Sequence, residues 1–337
     1  MVTMQRAAIV GPEEAEIHTV PVPDPRPGWA LVKILAAPMC TEYKDWRDGR
    51  IGPGLGHEAS GEVVDVSDCR RIAVGDRVVV HPLWACGSCE LCDAGDYIYC
   101  EHQLLEEGDP ADATMAQFIR KPEWLLSPFP STLSFDHAAL ACCALGPTFG
   151  AMERLGIRPS DVVLLTGMGP VGLGGVVNAR YRGARCIAVE SAPWRRAKAA
   201  ELGADLVLDP NDPDIRPQIR AFTDGRGVDA AVDCSGAAQA HRLGVDMVRR
   251  RGSIAWVGES AMDTPIQASR DLIGKGLRLI GNWHYHRSLF PAVIDVIRRS
   301  DRAAGLISHA LPLGDIQSAF RAIAAQETAK VILRPWG

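Results

Sequence analysis

The fold is decided by the stretch Asp161-Val162-Val163-Leu164-Leu165-Thr166-Gly167-Met168-Gly169-Pro170-Val171-Gly172. Val162–Leu165 is a short, continuously apolar run, the pattern of a strand covered on both faces of a parallel sheet. Gly167, Gly169 and Gly172 then supply G-x-G-x-x-G, and an Ala- and Val-rich segment of helical character runs on to about Arg182. The first glycine permits the tight turn, the second lets backbone approach a pyrophosphate, and the third lets helix pack on strand. The start of the helix offers unpaired N–H groups and the positive end of its dipole to that pyrophosphate. A glycine motif with a strand before it and a helix after it predicts a dinucleotide-binding turn.

Downstream, the same alternation continues. Strands are expected at Cys186–Val189, Leu206–Leu208, Val228–Val232, Ser253–Val257 and Leu277–Ile280, with helices through Ala197–Leu202, Ile215–Phe222 and Ala238–Val248 between them. A βαβ series of this kind implies an α/β fold with a doubly wound parallel sheet. Upstream the texture differs. A strand hairpin is predicted over Ala7–Val20 with its turn at Gly11-Pro12. Pro21, Pro23, Pro25 and Pro27 lead into a strand from Trp29, and further strands follow at Gly61–Val66 and Asp76–Val80. The first part of the chain is therefore mainly β, and one Ala-rich helix, His137–Arg154, is expected to join the two parts. The tail reads as a helix over Leu289–Ile297 and a final strand at Lys330–Arg334.

At 337 residues two domains are expected. The net charge of −5 carries no basic excess, which argues against nucleic acid or an anionic membrane as partner. Met1–Ala8 has no export-signal character and no apolar run approaches the length of a membrane span, so the cytoplasm is the default compartment. Ten cysteines in that compartment point to thiols or metal ligands in preference to disulfides.

Cys86, Cys89, Cys92 and Cys100 form C-x2-C-x2-C-x7-C in a short loop with Gly87 and Gly95. Four thiolates this close can fill all four positions of a tetrahedral Zn²⁺, which is the pattern of a structural site. The alternatives, free surface thiols or disulfides, are opposed by the spacing and by the compartment. A second set is dispersed: Cys40, His57-Glu58, and the pair Cys142-Cys143. Taken singly, each of these also reads as ordinary core packing, since free cysteine is commonly buried.

Together, Cys40, Gly56-His57-Glu58-x-x-Gly61, the Cys86–Cys100 lobe and the Gly167–Gly172 turn resemble the zinc-containing medium-chain alcohol and polyol dehydrogenases. Val74–Val78, Leu202–Asp205 and Val232–Gly236 match as well, so the resemblance covers essentially the whole chain in order. It implies a mainly β, GroES-like catalytic domain at residues 1–146 carrying the lobe at 86–100. A Rossmann domain at 147–281 and a return segment at 282–337 that completes the catalytic domain follow. It implies a catalytic zinc on Cys40 and His57, with Glu58 beside it as supporting or alternating ligand. The remaining ligand falls on Cys143, with Cys142 one residue away. Two zinc ions per chain are expected, the catalytic one keeping an open position that acidifies a bound alcohol.

The chain departs from the family pattern after Cys40. A Ser or Thr followed by Asp is usual two residues on, and here Thr41 comes one place early, Glu42 takes the hydroxyl position and Tyr43 the Asp position. Either Glu42 accepts the substrate proton or touches a polyhydroxylated substrate, with Thr41 nearby, or it pairs with Lys44 or Arg47 on the surface. Glu190 follows the strand Cys186–Val189 and lies 18 residues after Gly172, where an acidic side chain binds the ribose hydroxyls of NAD and repels the extra phosphate of NADP. NAD is thus the expected cofactor in preference to NADP, with Pro170, Val171, Arg195 and Val257 also placed against it by the resemblance. Trp46, Trp283 and His284 fall in regions that line the substrate cleft in similar enzymes, which suits a polyol, sugar or cyclitol. The expected function is hydride transfer between such a secondary alcohol, or the corresponding carbonyl, and NAD, in a homodimer or homotetramer. The alternatives are a biosynthetic carbonyl reductase running the same site backward and a catalytically silent dinucleotide-binding relative.

Overall fold

A computed structural model describes residues 2–52, 54–104 and 113–337. The chain divides into two compact units. One comprises Met1–Cys143, His286–Arg298 and Ile307–Gly337; the other comprises Ala144–Tyr285 and Arg299–Leu306. No helix among the described residues is long and apolar enough to cross a membrane.

The first unit is mainly β. A hairpin of β1 (Thr3–Gly11) and β2 (Glu14–Pro21) precedes β3 (Trp29–Pro38), and the helix α1 (Glu42–Asp48) follows. Then come β4 (Ala59–Ser67), β5 (Arg77–Val80), the short helix α2 (Glu90–Ala94), β6 (Phe118–Pro122) and β7 (Leu126–Pro128). β3 is the hub. It pairs antiparallel with β4 and with β6, and its far end pairs with the last strand of the chain, which returns from the other unit. Its residues alternate little because both faces are covered: Ala30, Val32, Ile34, Ala36 and Ala37 are all without exposure. Val32, Ile34, Met39, Val78, Val80 and Met115 form the middle of the core.

Between the units the sequence predicts one continuous helix over His137–Arg154, and the structure breaks it. α3 (Phe135–Ala139) and α4 (Gly146–Leu155) flank a tight turn in which Leu140, Ala141 and Cys142 donate to carbonyls three residues back. Pro147 then sits in the first turn of α4, where its missing N–H costs nothing. The Cys143 N–H leaves the helical pattern altogether and donates to a glutamate carboxylate from β4's approach, as described below.

The second unit has a six-stranded parallel sheet among the described residues. In chain order the strands are β8 (Val162–Thr166), β9 (Arg185–Val189), β10 (Leu206–Leu208), β11 (Val228–Asp233), β12 (Val248–Trp256) and β13 (Arg278–Gly281). Their order in space is β10-β9-β8-β11-β12-β13, with α5 (Pro170–Tyr181), α6 (Pro193–Glu201), α7 (Ile215–Phe222) and α8 (Ala238–Met247) on the connections. This is the doubly wound order, with its crevice where β8 separates the two directions of winding. β8 and β11, in the middle, are buried along their whole length, whereas the edge strand β13 is half exposed. β12 begins at Val248, five residues before the strand expected from sequence, because Val248 pairs with Val228 ahead of a register shift between Val228 and Ala230. The closing elements are α9 (Phe290–Arg299), β14 (Ile307–Pro312), α10 (Ile316–Ala324) and β15 (Lys330–Arg334). β15 lies between β14 and β3.

Candidate active site

Cys40 lies just past the end of β3, His57 just before β4, and Cys143 at the close of the turn after α3. The strand pairing brings these ends together, so that one donor atom each from Cys40, His57, Glu58 and Cys143 lies within 4.8 Å of the others. His57 Nε2 is 3.3 Å from Cys143 Sγ. Zinc bonds of about 2.0 Å to nitrogen and 2.3 Å to sulfur place neighbouring tetrahedral donors at about this separation, so the set fits one ion. The His57 side chain is one-third exposed, whereas Glu58 and Cys143 are buried, so the cluster opens on one side. Hydrogen bonding from Cys143 holds the Cys40 thiol well below the ordinary thiol range against its burial, aided by Lys330 and His57. This favours the thiolate, the form in which cysteine binds a metal. Of the two adjacent cysteines, Cys143 joins the cluster. Cys142 turns away and donates to the Val80 carbonyl at 3.4 Å.

The surroundings of the cluster show which groups Glu42 faces. This side chain is buried. Its Oε2 accepts the Cys40 N–H at 2.7 Å, and its Oε1 lies 2.8 Å from His57 Nδ1. Both oxygens thus face Cys40 and His57 in place of Lys44 or Arg47, and Arg47 contacts Asp48. With Nδ1 turned to a carboxylate, Nε2 is left to face the cluster, the arrangement that fixes the tautomer of a metal-binding histidine. Burial would lower the His57 pKa, but Glu42 and Cys40 raise it well above the usual value. Thr41 is exposed at the start of α1, and its side chain caps nothing.

Glu58 is held from behind. Its Oε2 accepts the Cys143 N–H at 3.1 Å, and its Oε1 meets Lys330 Nζ at 2.6 Å, with neither side chain exposed. Oε1 is 3.7 Å from His57 Nε2. Burial raises the Glu58 carboxyl to about 7 against the pull of Lys330, while Glu58, Cys40 and Cys143 lift Lys330 above the ordinary lysine range against its own burial. Lys330 was missed in the sequence, where it reads only as the first residue of the last strand. The one available signal was a lysine opening an otherwise apolar strand, Lys330-Val331-Ile332-Leu333.

The second cysteine set is also assembled. Cys86–Cys100, Cys89–Cys100 and Cys86–Cys92 sulfur separations are 3.7, 3.8 and 4.0 Å, and all four thiols are free. Zinc–sulfur bonds of about 2.3 Å put tetrahedral sulfurs about 3.8 Å apart, so this set fits a closed site. The Ser88 N–H, chiefly, lowers the Cys86 thiol to about 6. The lobe packs Tyr97, Ile98 and Cys100 against Ala85 and Leu125, and the Tyr97 hydroxyl reaches His81 Nδ1 at 3.5 Å.

In the other unit, Gly167 has φ of +80° and Gly172 lies so close beneath it that a Cβ would stand 1.8 Å from the Gly167 carbonyl oxygen. The space over Gly169 is open, as close approach of a pyrophosphate requires. Pro170 and Val171 open α5. The Glu190 carboxylate is folded back onto the turn, accepting from Met168 N at 2.6 Å, Ala192 N at 2.8 Å and Ser191 Oγ at 3.1 Å. Arg195 lies in α6 and is half-buried, and Val257 follows β12, donating its N–H to the Asp233 carbonyl at 2.9 Å.

Of the three residues expected to line a substrate pocket, two are buried. Trp46 is 3% exposed, stacks on Phe320 with centroids 5.4 Å apart, and donates to Gln317, so it is a packing residue of the β unit. His284 is 4% exposed and stacks on Tyr285 from a left-handed backbone with φ of +57°. Of the three, only Trp283 is exposed.

Two family models match the chain: the alcohol dehydrogenase GroES-like domain over residues 26–131 and the zinc-binding dehydrogenase domain over 170–299. The erythritol/L-threitol dehydrogenase of Mycolicibacterium smegmatis is 30% identical over 98% of both chains. The chain belongs to the zinc-containing medium-chain alcohol and polyol dehydrogenases. Another member, the sorbitol dehydrogenase of Bacillus subtilis, is 32% identical over 80% of each chain. The solved alcohol dehydrogenase TADH from Thermus sp. ATN1 superposes with a TM-score of 0.91 at 26% identity, over 98% of this chain and 99% of that one. As a member of this dehydrogenase family the chain is an oxidoreductase of alcohols, with its β unit corresponding to the GroES-like fold.

Two substitutions test how this dehydrogenase supports its metal cluster. Glu42→Ala frees the His57 ring and is expected to weaken zinc retention about 10- to 100-fold in a chelator competition, with Glu42→Gln recovering part of the loss. Lys330→Met leaves the Glu58 carboxylate buried without its cation and is expected to cost about 3–5 kcal/mol in denaturant unfolding. Adding Glu58→Leu should recover much of that stability, because an apolar pair of similar volume replaces the ion pair.

Proposed function

We propose that this dehydrogenase oxidises a secondary alcohol of a polyol, sugar or cyclitol with NAD, using one zinc at Cys40, His57 and Cys143 and a second at Cys86, Cys89, Cys92 and Cys100. The observation that carries the proposal is the cluster of three donors with an open side, backed by a carboxylate already satisfied by Lys330 and the Cys143 N–H. A bound zinc would supply Lewis acidity to an alcohol oxygen, in the way that zinc lowers the pKa of water from about 16 to about 7. The protein's part is positional. Glu42 fixes the direction of His57, and the Lys330–Glu58 pair holds the Cys143 backbone, so the donors converge before any ligand arrives. Hydride acceptance belongs to the nicotinamide of a dinucleotide whose pyrophosphate would rest on the glycine turn and whose adenosine ribose would lie at Glu190.

NAD in preference to NADP is supported by Glu190. Its carboxylate is pinned at the turn by three donors, so a phosphate on the adenosine ribose would meet a fixed negative charge. The polyol class is supported by the sorbitol and erythritol/L-threitol specificities named for two relatives. The half-exposed edge strand β13 is open to pairing with a second copy, in keeping with a homodimer or homotetramer.

A panel of polyols, sugars and amino alcohols with NAD and NADP, followed by nicotinamide absorbance, tests the reading. Turnover of polyols with NAD by protein that metal analysis finds to hold two zinc ions is expected. No turnover of any alcohol by such protein would overturn it. Glu190→Ala should shift the ratio of kcat/KM for the two cofactors toward NADP by about tenfold or more, since removing a fixed charge repulsion of about 1.4 kcal/mol is a factor of ten.

A further inference from the structure

A dinucleotide seated on the Gly167–Gly172 turn has its pyrophosphate at the start of α5, and Glu190 places the adenosine half toward β9. The other half must then lie over the carboxyl ends of β11 and β12, on the opposite side of the crevice. A buried polar cluster occupies that rim. Asp233, the last residue of β11, is 3% exposed, and its carboxylate accepts from Thr166 Oγ1 at 2.7 Å, Ser235 Oγ at 2.6 Å, Ser235 N at 3.2 Å and Gly236 N at 2.8 Å. His241 Nε2, from α8, is 3.0 Å away. The Asp233 backbone carbonyl accepts from Val257 N and Gly258 N at 2.9 and 3.0 Å. The ends of β8, β11 and β12 therefore converge on one residue.

His241 extends the cluster. It is 3% exposed, its ring stacks on Trp256 with centroids 4.3 Å apart, and its Nδ1 lies 2.6 Å from Thr264 Oγ1. Thr264 sits in the stretch 257–267 after β12, which has no regular secondary structure of its own. Backbone is pressed against backbone here: a Cβ on Gly258 would stand 2.4 Å from Gly236 N, and one on Gly236 would stand 2.0 Å from Glu259 O. A Cβ on Gly167 would meet Ser235 at 2.7 Å, so the glycine turn belongs to the same packed rim. Burial would raise the Asp233 carboxyl, but its donors, led by His241, hold it below the usual carboxylate range. A buried polar cluster is a weak source of stability, which points to what this one positions.

We propose that Asp233, His241 and Thr264 form a positioning cluster that shapes the seat of the nicotinamide half of the dinucleotide. His241 ties the stretch 257–267 to the sheet, and Asp233 locks the Cys234–Ala237 loop against the glycine turn. This rests on the dinucleotide reading given above, and the test separates the two. Thr264→Val removes one hydrogen bond with little change of shape; His241→Phe keeps the stacking on Trp256 and removes both. The zinc-loaded wild type and both variants are titrated with NADH and NADPH, followed by nicotinamide fluorescence. They are also titrated with ADP, which probes the adenosine half alone, by calorimetry. Thr264→Val is expected to raise the Kd of NADH about five- to tenfold and leave that of ADP unchanged, with a larger rise for His241→Phe. An unchanged NADH affinity in folded Thr264→Val, or equal losses for NADH and ADP, would overturn the proposal. A wild type that binds neither NADH nor NADPH removes the dinucleotide reading itself, and the cluster's role with it.

Discussion

A lysine ammonium and a glutamate carboxylate, neither with any exposed surface, meet 2.6 Å apart beside Cys40, His57 and Cys143. Two charges taken out of water are tolerated only when each has the other and the remaining lone pairs are satisfied. Here the second Glu58 oxygen takes the Cys143 N–H, so the ion pair and the broken helix after α3 are one arrangement. It can exist only if the last strand of the chain reaches β3, because Lys330 begins β15 and Ile332 and Leu333 pair with Pro38 and Ala37. The excursion through the second unit and back is therefore what completes the first unit's site.

The two units divide the chemistry along that line. In the β unit, charges are organised around thiols and an imidazole, and the chain's own carboxylates decide where each donor faces. In the sheet unit, the determinants are backbone N–H groups, close-packed glycines and two carboxylates on opposite sides of the crevice: Glu190 beyond β9 and Asp233 at the end of β11. Each carboxylate accepts backbone N–H groups of the loop that follows it, and Asp233 also takes Thr166 and His241 from outside that loop.

What could be read from sequence follows from how local the physics is. The Gly167–Gly172 turn, the parallel strands and the Cys86–Cys100 lobe are each contained in a few consecutive residues, so their patterns survive translation into letters. The sequence predicts one helix over His137–Arg154 because Ala-rich composition carries a helical preference, while the Cys143 N–H at the break is taken by Glu58, 85 residues away. Lys330 lies 272 residues from its partner, and its one local mark is its place at the head of an apolar strand. Trp46 and His284 have the chemistry of pocket residues in the sequence, and in the structure the indole stacks on Phe320 and the histidine on Tyr285. The Asp233–His241–Thr264 cluster joins a strand end, a helix and a loop, and no single stretch announces it.

Glu42 carries a consequence for comparing related chains. Aligned letter by letter, this position records a lost hydroxyl, and its neighbour Tyr43 records a lost aspartate. In space, the Glu42 carboxylate sits 2.8 Å from His57 Nδ1 and takes the Cys40 N–H. Relatives with irregular residues after the first cysteine of the cluster should be sorted by whether any nearby carboxylate can span to the histidine. Sorting them by which letter fills a given column would overlook the carboxylate that this chain turns to its histidine.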